Sequence, residues 1–133
     1  MFIPLFAAIA PFIVWPIEIF FPYPHIVEEL AKALLIFFLL LRPSSNTKKI
    51  SGVFLIGFIF AFSETVLYLF NILPLGNPQI LLLRFLLTIP MHILTSYVIL
   101  ISAMIDKRLI FLGIILAAFI HYFFNIYVAF VKI

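Results

Sequence analysis

The chain has 133 residues, 67% of them hydrophobic and 10% charged, with a formal net charge of +3. A soluble domain of this size cannot bury so much apolar surface, so the chain is read as an integral membrane protein in contact with the lipid bilayer. The eight basic residues are scattered over segment ends rather than gathered on one face, which argues against nucleic acid as a partner, and the absence of cysteine excludes disulfides, thiolate metal sites and a Cys nucleophile.

In chain order, five apolar segments are each long enough to be a helix in a hydrocarbon layer of about 30 Å. They predict an all-α bundle of about five transmembrane helices in a single domain, 1–133. The first segment, 2–21, carries Glu18 and three prolines, Pro4, Pro11 and Pro16, so it is expected to be bent or re-entrant. It lacks a basic n-region, and no cleavable signal is expected. The second segment, 26–41, follows the Pro22-Tyr23-Pro24 turn and is short for a span. A linker at 43–49 is the one clearly hydrophilic loop. The third segment, 52–73, is ended by Pro74-Leu75-Gly76-Asn77-Pro78. The fourth, 79–105, is interrupted by Pro90, and the fifth covers 109–131. No repeat of the kind that marks secondary transporters is present. Loops after the second and fourth helices hold Arg42, Lys48, Lys49, Lys107 and Arg108, and the opposite side holds little beyond Lys132. The positive-inside rule then places those loops and the N-terminus in the cytoplasm and the C-terminus outside, in a prokaryotic-type cell membrane.

Ionisable residues interrupt these segments, although an ionised group at the bilayer centre costs roughly 2.5–3.5 kcal/mol. Each group has helical spacing and so shares a face. In Glu28-Glu29-Leu30-Ala31-Lys32 one lysine cannot neutralise two carboxylates, which leaves a carboxylate for general-base work; an interfacial helix cap is the plainer reading. Glu64 lies well inside the third segment, and Tyr68 and Asn71 extend its face. Arg84, Thr88, His92 and Ser96 recur at every fourth position with Thr95 adjacent, a stripe that cannot face lipid. Interhelical hydrogen bonding explains the hydroxyls but explains Arg84 and His92 poorly. His121 and Asn125 are again i,i+4; Asn125 would fix the histidine tautomer or offer its amide to an oxyanion. At about 1.5 Å per residue, Glu64, His92 and His121 reach similar mid-depth, with Glu28 nearer the outer face.

In this order the four motifs, E-E-x-x-K at Glu28-Glu29-x-x-Lys32, F-x-x-x-E at Phe60-x-x-x-Glu64, a His at His92 and H-x-x-x-N at His121-x-x-x-Asn125, resemble the PrsW-like family of intramembrane proteases. These are relatives of the type II CAAX prenyl endopeptidases. The CAAX-type branch would place an Arg four positions after its second Glu and a His where Glu64 stands, so the PrsW-like pattern fits better. Family members are expected to be longer, and a homodimer is one way to replace the missing helices.

The resemblance implies an endopeptidase that cleaves single-pass or other membrane-protein substrates within the bilayer. Glu28 or Glu29 would activate the water, with the other pairing with Lys32. His121 and Asn125 would stabilise the oxyanion, His92 would place the water, and Glu64 would orient a histidine or bind the water. Arg84 is a supporting residue. No cofactor is expected. The alternative is zinc held by His92, His121 and Glu64, which leaves a second glutamate as base. The chain has no H-E-x-x-H motif, and Asp106 is its only aspartate, so a paired-aspartate site is excluded. Two other classes remain compatible with the residues: a proton- or ion-handling membrane component, and a non-catalytic scaffold subunit.

Overall fold

The computed structural model describes residues 2–72 and 78–131. Leu73, the turn residues 74–77, the Asn71 side chain and Lys132, all named above, lie outside what is described. Five helices follow one another: α1 (Ile3–Phe20), α2 (Pro24–Leu40), α3 (Asn46–Ile72), α4 (Pro78–Ile105) and α5 (Ile110–Phe130), with a 3-10 turn at Lys107–Leu109 before α5. Among the described residues α1, α3, α4 and α5 are long and apolar enough to cross a membrane. The protein is thus an all-α integral membrane protein. The remaining helix, α2, has 17 residues and carries Glu28, Glu29 and Lys32.

Local chemistry sets the boundaries. α1 runs as one continuous helix of 18 residues through Pro11 and Pro16, about 27 Å at 1.5 Å per residue. Pro24 sits in the first turn of α2, where its missing N–H costs nothing. α3 starts at Asn46 rather than at 52. The Ser45 side chain caps it by accepting from the Lys48 backbone N–H at 3.4 Å, so polar residues read as linker form its first turns. Asp106 holds the turn before α5 in the same way, accepting from the Arg108 N–H at 2.8 Å.

α3 packs on α1 and α4, and α4 packs on α5, while α2 touches all four other helices. The shortest helix is therefore the one in contact with all the others. Two glycines let neighbours approach closely. A Cβ at Gly57 would lie 2.8 Å from the His92 carbonyl oxygen and from Ile93 Cα. A Cβ at Gly113 would lie 3.0 Å from Ile99 Cα and 2.9 Å from the Ser102 side chain. Small residues at helix crossings are the usual means of close packing where no hydrophobic effect drives association.

Burial is inverted relative to a soluble domain. Phe20, Phe111, Phe123 and Phe130 are exposed and form lipid-facing surface, whereas Glu29, Lys32, His92 and Thr95 are fully buried. The apolar core gathers Ile36 of α2, Val53 and Ile56 of α3, Ile99 and Leu100 of α4 and Ala117 of α5. Glu28, Glu29 and Lys32 precede Ile36 on α2 and His92 precedes Ile99 on α4, whereas Glu64 follows Ile56 on α3 and His121 follows Ala117 on α5, each by about one to two turns. The helices thus alternate in direction, with apolar packing in one half and the polar groups collected in the other.

Candidate active site

Lys32 forms the centre of the polar half. Its ammonium donates to Glu29 Oε1 at 2.7 Å and to Thr95 Oγ1 at 2.5 Å, and lies 3.0 Å from His92 Nδ1. One turn of α2 separates Lys32 from Glu29, which places both on the face turned to α4 and α5. The Phe60 ring closes the group, 5.7 Å from the lysine nitrogen. Glu29 Oε1 also pairs with His121 Nδ1 at 2.9 Å. The partner that orients His121 is therefore Glu29 and not Asn125.

His92 is engaged on both sides of its ring, with Lys32 at Nδ1 and the Glu64 carboxylate at Nε2. Tyr68 lines the cavity beside Glu64, and the Arg84 guanidinium stacks on Tyr68, 3.8 Å from the ring centroid. Arg84 thus reaches the centre through Tyr68 and Glu64. Thr88 and Ser96, of the same stripe on α4, are buried, as expected for a face turned away from lipid.

Glu28 differs from Glu29, whose Oε2 is also without a hydrogen-bond partner, in lining the cavity beside the network. Its Oε2 lies 3.7 Å from His121 Nε2 and 3.9 Å from His92 Nε2, beyond hydrogen-bond range, and has no hydrogen-bond partner. An unpartnered carboxylate oxygen on a buried residue carries a desolvation cost that only a bound group or water relieves. The two imidazoles flank it with ring centroids 5.1 Å apart in an edge-on arrangement. Glu28 is not nearer the outer face than the histidines: the Pro24 start of α2 brings it level with them.

Glu28 opens onto a cavity of about 230 Å³ lined also by Trp15, Glu18, Glu64, Tyr68 and Asn125. All six sequence-selected residues, Glu28, Glu29, Glu64, His92, His121 and Asn125, therefore lie on one hydrogen-bond network or on the cavity beside it. Sequence reading left two contributors out. Glu18 carries a buried Oε1 without a partner and lines the cavity from α1; its position in an apolar span was the available signal. Thr95 was credited with interhelical bonding in general, not with a bond to Lys32.

Among the described residues Glu28, His92 and His121 form a group able to hold a metal ion, with one ligand atom of each within 4.8 Å of the others. The carboxylate facing both rings is thus Glu28, where the sequence had suggested Glu64. One carboxylate and two imidazoles are the donor set of many catalytic zinc sites, and the Glu29 bond to His121 Nδ1 is the usual outer support for such a ligand. His92 does not fit. A ligand must offer a free lone pair, and both its ring nitrogens already have partners in Lys32 and Glu64.

The family model described as PrsW family intramembrane metalloprotease matches residues 9–133. The curated proteins and the solved structures give no match.

Proposed function

The chain belongs to the PrsW family of intramembrane proteases, whose model covers nearly its whole length, and from that premise we propose that it hydrolyses peptide bonds of membrane proteins with a water activated by Glu28. The observation that carries this reading is the free Oε2 of Glu28, which is buried, flanked by two imidazoles and directed at a cavity. Glu29 also has an Oε2 without a partner, but it is the poorer base because Lys32 and His121 hold its Oε1 and it does not line the cavity.

In this mechanism a water in the cavity attacks the carbonyl carbon of the scissile bond and transfers a proton to Glu28. The new C–O bond leaves a negative charge on the former carbonyl oxygen. His121, on the network, and Asn125, on the cavity wall, are the groups available to hold the water and that oxyanion. Collapse breaks the C–N bond, and the proton on Glu28 passes to the departing amine. Lys32 and Glu29 fix the positions of both histidines.

The family description also implies a metal, for which Glu28, His92 and His121 are the nearest residues. Because the His92 nitrogens are both engaged, no step is assigned to a metal here. Orientation follows the basic loops, with the N-terminus and the residues around Lys48 and Lys49 cytoplasmic; a reporter fused beside Lys49 that reads as external would reverse it.

The test is cleavage of a panel of single-pass membrane proteins by the purified protein in liposomes, beside Glu28→Gln, Glu29→Gln and His121→Ala, each with and without chelator. Cleavage lost in Glu28→Gln and retained with chelator supports the glutamate mechanism. Cleavage abolished by chelator and restored by zinc overturns it.

A further inference from the structure

Lys32 has no exposed side-chain surface, and its three neighbours within hydrogen-bond distance are Glu29 Oε1, Thr95 Oγ1 and His92 Nδ1. An ammonium paired with a carboxylate has three hydrogens to give and no lone pair with which to accept. Glu29 Oε1 can only accept. The Thr95 hydroxyl gives its own hydrogen to the His92 carbonyl oxygen at 3.2 Å, so it accepts from Lys32. His92 Nδ1 must accept as well. A hydrogen on Nδ1 would face a lysine hydrogen across 3.0 Å and leave two buried donors without an acceptor. A neutral imidazole that accepts at Nδ1 carries its hydrogen on Nε2, and Nε2 faces the acceptor Glu64.

We infer that Lys32 is a positioning residue that holds His92 in its Nε2–H tautomer, so that His92 is a hydrogen-bond donor to Glu64 and not a metal ligand. His121 is set the opposite way. Its Nδ1 faces Glu29 Oε1, which takes the hydrogen and leaves the Nε2 lone pair turned towards Glu28. One ring then donates to Glu64 and the other offers its lone pair to the centre. A water held between Glu28 and His121 has both acceptors beside it, while the His92 N–H stays on Glu64. The role of that water rests on the protease reading; the tautomer assignment does not, and it is measured without any substrate.

Nitrogen-15 spectra of histidine-labelled protein in lipid nanodiscs test it, with His92→Gln used to assign the His92 signals. At neutral pH the wild-type His92 is expected to bear its hydrogen on Nε2 by more than about tenfold, the weight of one buried hydrogen bond. Lys32→Arg, another pure donor, keeps that pattern. Lys32→Met shifts the hydrogen towards Nδ1. Hydrogen on Nδ1 in the wild type, an imidazolium in the wild type, or an unchanged pattern in a folded Lys32→Met variant each overturns the inference. Should Lys32→Met not fold, the wild-type spectrum decides alone. Zinc titration gives a second readout: wild type and His92→Gln are expected to bind zinc equally. A loss of affinity of about 10–100-fold on His92→Gln, the range for a disturbed zinc site, overturns the inference.

Discussion

Glu28 and Glu29 are adjacent in sequence but belong to different regions. Glu29 sits in a network away from the cavity, where Lys32 uses all three of its hydrogens and one Glu29 oxygen serves both Lys32 and His121, its Oε2 being without a partner. Glu28 faces a cavity in which its own Oε2 and Glu18 Oε1 lack partners. The contrast separates two tasks. The network side converts ionic pairing into fixed ring positions, and the cavity side keeps acceptors available for a reaction. Neighbouring helix positions differ by about 100° in direction, which is enough to send one carboxylate to each region.

The contrast is broken most directly at Glu28. Glu28→Gln should lower cleavage by about 10²–10⁴-fold, the usual range for removing a general base, with little change in thermal unfolding because the lost oxygen had no partner. Full activity in that variant together with loss in Glu29→Gln would interchange the two regions. Next in size is Lys32→Met. Removing one partner of a buried pair costs about 3–5 kcal/mol, so its unfolding in detergent should shift strongly, and Glu29→Gln added to it should cost less than it does alone. An unfolding curve matching the wild type would mean that the network holds nothing in place.

Gly57→Ala sharpens the comparison from a distance. Its new Cβ would meet the His92 carbonyl oxygen and Ile93 Cα at 2.8 Å, both backbone atoms, so α3 and α4 must move apart. Overpacking of this kind costs about 1–3 kcal/mol, and it loosens the Glu64–His92 contact. Activity should fall more than stability does, which a KM-against-kcat comparison on one substrate checks. The smallest effect is expected for Arg84→Met, which removes a stack on Tyr68 worth about 0.5–2 kcal/mol. Cleavage should persist at a reduced rate, and complete loss would promote Arg84 to the centre itself.

Much of this was legible in the sequence because membrane burial inverts the usual signals. Polar residues at helical spacing inside apolar runs identify the inward faces, and Glu64 with Tyr68, or His92 with Ser96, need only the helix period to be placed together. What composition could not supply is the rotation of one helix against another. That rotation decides that Glu28 and not Glu64 faces both imidazoles, and that Glu29 rather than Asn125 orients His121. The start of α3 was missed for a different reason. Hydropathy detects the part of a helix in lipid, while the Ser45 cap carries α3 beyond it. The depth of Glu28 was misjudged because counting residues from a turn assumes that the turn sits at the membrane surface, and α2 is a short helix in the centre of the bundle.

The position of α2 has a consequence for how the protein is made. α1, α3, α4 and α5 can each partition into lipid on composition, but α2 brings Glu28, Glu29 and Lys32, at roughly 2.5–3.5 kcal/mol for each charged residue at a helix centre. The ammonium of Lys32 loses its hydration on entry and regains three acceptors only when Thr95 and His92 of α4 are already in place. Membrane insertion of this helix and assembly of the site are therefore one event, in which the later helices act as the solvent for the earlier one.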